Sequence, residues 1–120
     1  MSDTEVAAAV AQMTPAGADV VVYTAESDTN KLLGRPGQYI GKVSWTDPRA
    51  PQQKQAATIE LFLDDATLQA RFAYLDPILK SSPLFLQYMY RNDERHLILR
   101  VPKELTPAQA ESYAAWLAKL

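Results

Sequence analysis

Leu84-Phe85-Leu86-Gln87-Tyr88-Met89-Tyr90, answered after a polar break by Leu97-Ile98-Leu99-Arg100-Val101, sets the architecture of the chain. Both runs are rich in apolar, aromatic and β-branched residues, and the Asn92-Asp93 pair between them is turn chemistry. With Asn92-Asp93 as a two-residue turn, Leu84, Leu86, Tyr88 and Tyr90 face Val101, Leu99, Leu97 and Arg95. One face of the hairpin is then almost wholly apolar. A slip of one residue would turn every one of those side chains to the wrong face, so the register is well specified.

Downstream, Thr106-Pro107-Ala108-Gln109 opens a helix with an N-cap, a proline at the first helical position and a capping glutamine. Its apolar stripe is Ala110, Tyr113, Ala114, Leu117 and Leu120. Upstream, Asp64 or Asp65 starts a helix whose apolar face is Leu68, Phe72, Leu75 and Leu79. Pro77 costs about 3 kcal/mol inside a straight helix, which predicts a kink or break at Asp76-Pro77. Before that helix, the segments 39–46 and 58–63 alternate between apolar and polar residues. They flank a polar, proline-bearing stretch, 47–55, which reads as a long hairpin loop. Val20-Val21-Val22-Tyr23 is a further strand of about 19–25. Ser2-Asp3-Thr4-Glu5 has capping-box spacing, with Val6, Ala9, Val10 and Met13 following at helical spacing over 3–13.

The element order is αβββαββα. It predicts an α+β two-layer sandwich, a five-stranded antiparallel sheet with helices on one face. At 120 residues the chain is a single domain, with residues 1–18 as a peripheral N-terminal helix and linker. Its 48% hydrophobic and 22% charged content belongs to a globular protein and argues against a disordered one.

The same composition narrows function. A net charge of −2 with scattered acids and bases leaves no basic stripe for nucleic acid. No apolar run is long enough to span a membrane. Cysteine is absent, which removes disulfides, thiolate metal sites and cysteine nucleophiles together. The acidic start Met1-Ser2-Asp3-Thr4-Glu5 has no signal-peptide core. The sequence leaves the compartment open between a cytoplasmic location and, if the chain is a processed form, an exported one. No metal, cofactor or catalytic set is expected. His96 is the sole histidine, and Asp64-Asp65 at a helix start serve its capping and dipole. An enzyme would need a cleft that gathers Arg35, His96 and a carboxylate.

Two regions remain for binding. The first is the 28–39 loop, Asp28-Thr29-Asn30-Lys31-Leu32-Leu33-Gly34-Arg35-Pro36-Gly37-Gln38-Tyr39. Asp28 can cap a turn through Leu33, Gly34 can stop it, and Pro36-Gly37 fits the centre of a type II turn. That reading is purely architectural. The functional one places Arg35 on a stiff support with Lys31, Lys42, Gln38 and Tyr39 around it, a setting for a carboxylate or phosphate. The second region is the less apolar sheet face, where Phe62, Phe85, Met89 and Ile98 lie among polar residues that include His96. That mixture is the composition of an interface with a protein partner or a second copy. The alternative is that the N-terminal helix covers it. Together these features predict a non-catalytic binding or interaction module, with a small-ligand or anion-binding protein centred on Arg35 as the alternative.

Leu32-Leu33-Gly34-Arg35-Pro36-Gly37-Gln38-Tyr39, preceded by Tyr23-Thr24-Ala25-Glu26, resembles a motif of a family of small uncharacterised bacterial proteins. Leu99-Arg100-Val101 followed by Leu105-Thr106-Pro107-Ala108-Gln109-Ala110 resembles it more loosely. Members of that family are often exported and lipoprotein-like, with an anchoring cysteine near the mature start, which this chain lacks. The resemblance implies no activity and no site residues.

Overall fold

The computed structural model describes residues 1–13, 17–81 and 87–120. Its elements are α1 (Asp3–Ala11), β1 (Ala18–Val22), β2 (Gly41–Thr46), β3 (Ala57–Leu61), α2 (Asp65–Ser81), β4 (Gln87–Asn92), β5 (Leu97–Pro102) and α3 (Pro107–Ala118). This is the expected order. The five strands form one antiparallel sheet in the order β1-β2-β3-β5-β4.

Strand alternation sorts the sheet into two faces. Val43, Ile59, Leu99 and Tyr90 form one cross-strand row of the first face. Trp45, Ala57, Leu61, Leu97 and Val101 extend that face into a core with Val6 and Val10 of α1 and Tyr113 and Leu117 of α3. The second face carries the row Lys42, Glu60, Ile98 and Arg91. Here α2 packs, through Leu68 and Phe72 against Ile98, Phe62 and Met89.

The helices are therefore shared between the two faces, α1 and α3 on the first and α2 on the second, and not gathered on one. The reason lies in the sequence of the second face. It pairs apolar Phe62 and Ile98 with charged Glu60, and a helix carrying both leucines and an arginine satisfies both. Nor is α1 peripheral, since Val6 and Val10 are fully buried in the core.

Both capping boxes form as expected. Ser2 Oγ accepts from the Glu5 N–H while Glu5 accepts from the Ser2 N–H. Thr106 and Gln109 do the same for α3. Asp64 caps α2 by accepting from the Thr67 N–H at 2.9 Å. Of the kink or break predicted at Asp76-Pro77, the break does not occur: α2 runs as one continuous helix through Pro77. Leu75 and Leu79 are buried on either side of the proline, so packing holds the helix past the missing hydrogen bond.

The β4–β5 hairpin differs in its turn. Tyr88 faces Val101, Tyr90 faces Leu99 and Asn92 faces Leu97, so residues 93–96 make a longer loop than the expected two-residue turn. Asn92 is held in the strand instead. Its Nδ2 donates to the Leu117 carbonyl at 2.8 Å, and its Oδ1 accepts from the Arg95 N–H at 2.9 Å. His96, with φ of 58°, closes the loop, so it is a turn residue and not one of the polar residues of the second sheet face. The displacement is an even number of residues, so Tyr88 and Tyr90 keep the apolar face that the pattern assigned to them. The expected partners Leu84 and Leu86 lie outside the described residues, as does Phe85.

Candidate functional site: the cleft between the 28–39 loop and α2

Asp28 organises the loop. It is fully buried, and its carboxylate accepts five hydrogen bonds. Oδ2 takes the N–H groups of Leu32 and Leu33, both at 3.1 Å, and the Tyr39 hydroxyl at 2.7 Å. Oδ1 takes the Asn30 N–H at 3.2 Å and the Lys42 ammonium at 2.8 Å. Burial alone would raise this carboxyl. The Lys42 ammonium, the Tyr39 hydroxyl and the Leu33 and Leu32 amides outweigh it and hold Asp28 well below the usual carboxylate range. The Tyr39 hydroxyl is pushed up, by burial first and by its bond to Asp28 next.

The turn chemistry is as expected. Gly34 and Gly37 have φ of 82° and 75°, values that suit glycine. The Gln38 N–H donates to the Arg35 carbonyl at 3.0 Å, closing the turn around Pro36-Gly37. The Gly34 N–H donates to the Tyr39 carbonyl at 2.9 Å, so the loop is stitched to itself.

A second buried cluster adjoins the first. Glu60, on β3 and 0% exposed, accepts from Arg71 Nε and Nη2, both at 3.1 Å, and from Arg100 Nη2 at 2.9 Å. Arg71 belongs to α2 and is 8% exposed. Its guanidinium lies 5.5 Å from the Tyr39 ring centroid and 5.8 Å from that of Tyr74. Burial works against the Arg71 charge, but the Glu60 carboxylate more than restores it, and Arg71 stays cationic. Two guanidinium groups share one carboxylate here.

Between the loop and the helix lies a cleft of about 340 Å³, lined by Leu32, Gly37, Gln38, Ala70, Arg71 and Tyr74. Arg71 Nε and Nη2 are committed to Glu60, while Nη1 carries no hydrogen bond from the described residues. Among the described residues that line the cleft, Arg71 brings the only formal charge. Tyr74 is 62% exposed and forms the outer wall. Gly37 leaves the opposite wall low, with open space where a Cβ would stand.

The sequence-derived candidates are distributed as follows. Gln38 reaches the cleft. Arg35 is exposed, and among the described residues no hydrogen bond or ion pair holds its side chain. Lys31 is tethered to the Glu26 carbonyl through Nζ. Lys42 and Tyr39 are buried in the Asp28 cluster and do not assist Arg35. Phe62 and Ile98 are buried beneath α2, with Met89 half-buried beside them, so this sheet face is not an open surface. The coverer is α2 and not the N-terminal helix. His96 lies in the β4–β5 turn, away from the Asp28 cluster in the chain and close enough to Asp64 to help hold that carboxyl low after the Thr67 bonds. Arg71 was hidden from sequence reasoning, although it stands three residues after Leu68 and four before Leu75, inside the apolar stripe.

Among the described residues no group of three or more His, Asp or Glu side chains is placed to hold a metal ion. No helix among them is long and apolar enough to cross a membrane. Set against protein-family models, curated proteins and solved structures, the chain matches none of them, so the site is read from its own geometry.

Proposed function

We propose that the protein is a non-catalytic binding module whose working surface is the outward side of the 28–39 loop together with the adjoining edge of α2. The observation that carries this reading is the five-bonded Asp28 carboxylate beneath the loop. A loop held by a buried charge is preorganised, and it loses little entropy on meeting a ligand. The residues it presents outward, Gly34, Arg35, Pro36 and Gly37, are all exposed. The internal bonds already satisfy the architecture, which leaves these groups and the cleft behind them for contact.

A partner on the mixed sheet face is not part of this reading, because α2 occupies that face. A protein partner or second copy would have to use the loop surface instead. The test is a fragment screen followed by amide chemical shifts on the isotope-labelled chain. Perturbed amides should cluster in residues 31–39 and 66–74. Perturbations confined to the 47–55 loop, or none at all, would contradict the assignment.

A further inference from the structure

We infer that the cleft binds a small organic carboxylate, with the carboxylate on the outer edge of the Arg71 guanidinium and the apolar body against Tyr74 and Leu32. This rests on the reading of the loop and α2 as the binding surface and gives that surface a ligand class.

Four observations lead there. Arg71 is more than nine-tenths buried, yet it lines a cleft with its Nη1 uncommitted among the described residues. Its plane is fixed twice, by Glu60 along the Nε–Nη2 edge and by the rings of Tyr39 and Tyr74. A guanidinium fixed on one edge offers the other as a ready fork, the geometry that suits a carboxylate. Glu60 divides its charge between Arg71 and Arg100, so Arg71 is incompletely neutralised. The remaining walls are an aromatic ring, a leucine, an alanine, a glycine and one amide side chain.

Those walls decide between anions. A phosphate dianion calls for several cations or a set of converging backbone N–H groups. Among the described residues the lining supplies one guanidinium, one amide side chain and apolar surface, which fits a monoanion with an apolar tail. The volume of about 340 Å³ lies at the small end of small-molecule pockets. The Gln38 amide is in place to read one further polar group on such a ligand.

The probe is phenylacetate, with phenylacetamide as the neutral control and inorganic phosphate as the anion without a body. Each is titrated to about 10 mM, since fragments of this size bind near 1 mM. Phenylacetate should shift the amides of Gly37, Gln38, Ala70 and Tyr74, with phenylacetamide at least about tenfold weaker. Tyr74→Ala and the cleft-filling Ala70→Phe should each weaken binding about tenfold or more. Both positions are exposed and neither side chain bonds to Glu60, so these variants should remain folded. Equal binding of phenylacetamide overturns the role of Arg71, and equal binding of phosphate at the same amides overturns the organic carboxylate. If neutral fragments shift these amides while phenylacetate does not, the carboxylate proposal fails and the binding surface stands. If nothing shifts residues 31–39 or 66–74, both fail together.

Discussion

Lys42 and Glu60 stand directly opposite each other on β2 and β3, yet they do not pair: Lys42 takes its ionic partner from the 28–39 loop, and Glu60 takes one from α2 and one from β5. Opposed charges on adjacent strands ordinarily pair across the ladder. Here Lys42 reaches Asp28 at 2.8 Å, while Glu60 is held by Arg71 and Arg100. The consequence is structural. One ion pair ties the 28–39 loop to β2, the other ties α2 to β3, and the cleft is the space between the two attachments.

Breaking the first tie should be costly. Asp28→Asn leaves the Lys42 ammonium buried without its counter-charge, a change that typically costs about 3–5 kcal/mol. Urea denaturation should show that loss, and the double variant Asp28→Asn with Lys42→Met should recover part of it. A double variant less stable than Asp28→Asn alone would show that the Lys42 charge is not what the buried carboxylate satisfies.

The Asp28 and Asp47 carboxyls are both depressed in the fold. Burial opposes this in each case, and the bonds from Lys42 and Tyr39, or from Arg49 and Tyr113, prevail. A carboxyl depressed by folding contributes stability that is full above its unfolded pKa of about 3.9 and is lost as the pH falls through the folded value. Stability should therefore decline steadily below about pH 4. In Asp28→Asn that acid slope should become shallower, and an equally steep slope in urea midpoints would remove Asp28 from the account.

Tyr113 joins α3 to the 47–55 loop. Its hydroxyl accepts from Trp45 Nε1 at 3.1 Å and donates to Asp47 Oδ2 at 2.8 Å. Tyr113→Phe leaves a buried indole N–H unpaired and removes one donor from a buried carboxylate, a loss of about 1–3 kcal/mol. Thermal unfolding should register it with the near-UV signal of Trp45 altered. A variant as stable as the parent would mean that water replaces the hydroxyl.

Pro77 offers a change in the opposite direction. It is exposed within a continuous helix, so Pro77→Ala restores a backbone donor without disturbing the core. Helix propensity favours alanine by about 3 kcal/mol, offset by up to about 1 kcal/mol of freedom returned to the unfolded chain. A net gain of about 2–3 kcal/mol is expected by urea denaturation. A loss instead would indicate that α2 depends on the proline for its course over the sheet.

The strands, the three helices and their order were legible because each is written locally, in alternation, capping boxes and turn pairs. The even displacement at the β4–β5 turn shows the limit of that reading. Alternation specifies which face Tyr88 and Tyr90 take, but not which residue they oppose; in the fold, Asn92 bonds to Leu117 of a distant helix and stands opposite Leu97. The site was half legible. Pro36-Gly37 and Gly34 announced a rigid loop, and Asp28 was visible as its cap. The partner charges were not, because Lys42, Glu60 and Arg71 look like surface residues until the fold brings α2 onto the second face. An arginine within an apolar helix stripe, and a glutamate between Ile59 and Leu61, were the available signals.

If the buried Asp28 carboxylate holds the 28–39 loop as a rigid unit, hydrogen exchange at the Leu32 and Leu33 amides will report it. Both donate to Asp28 Oδ2 at 3.1 Å, outside any helix or strand. In the parent protein they should exchange as slowly as neighbouring β2 amides, and in Asp28→Asn they should lose that protection while β2 retains it. Rapid exchange of Leu32 and Leu33 in the parent, at the rate of an open loop, would contradict the account.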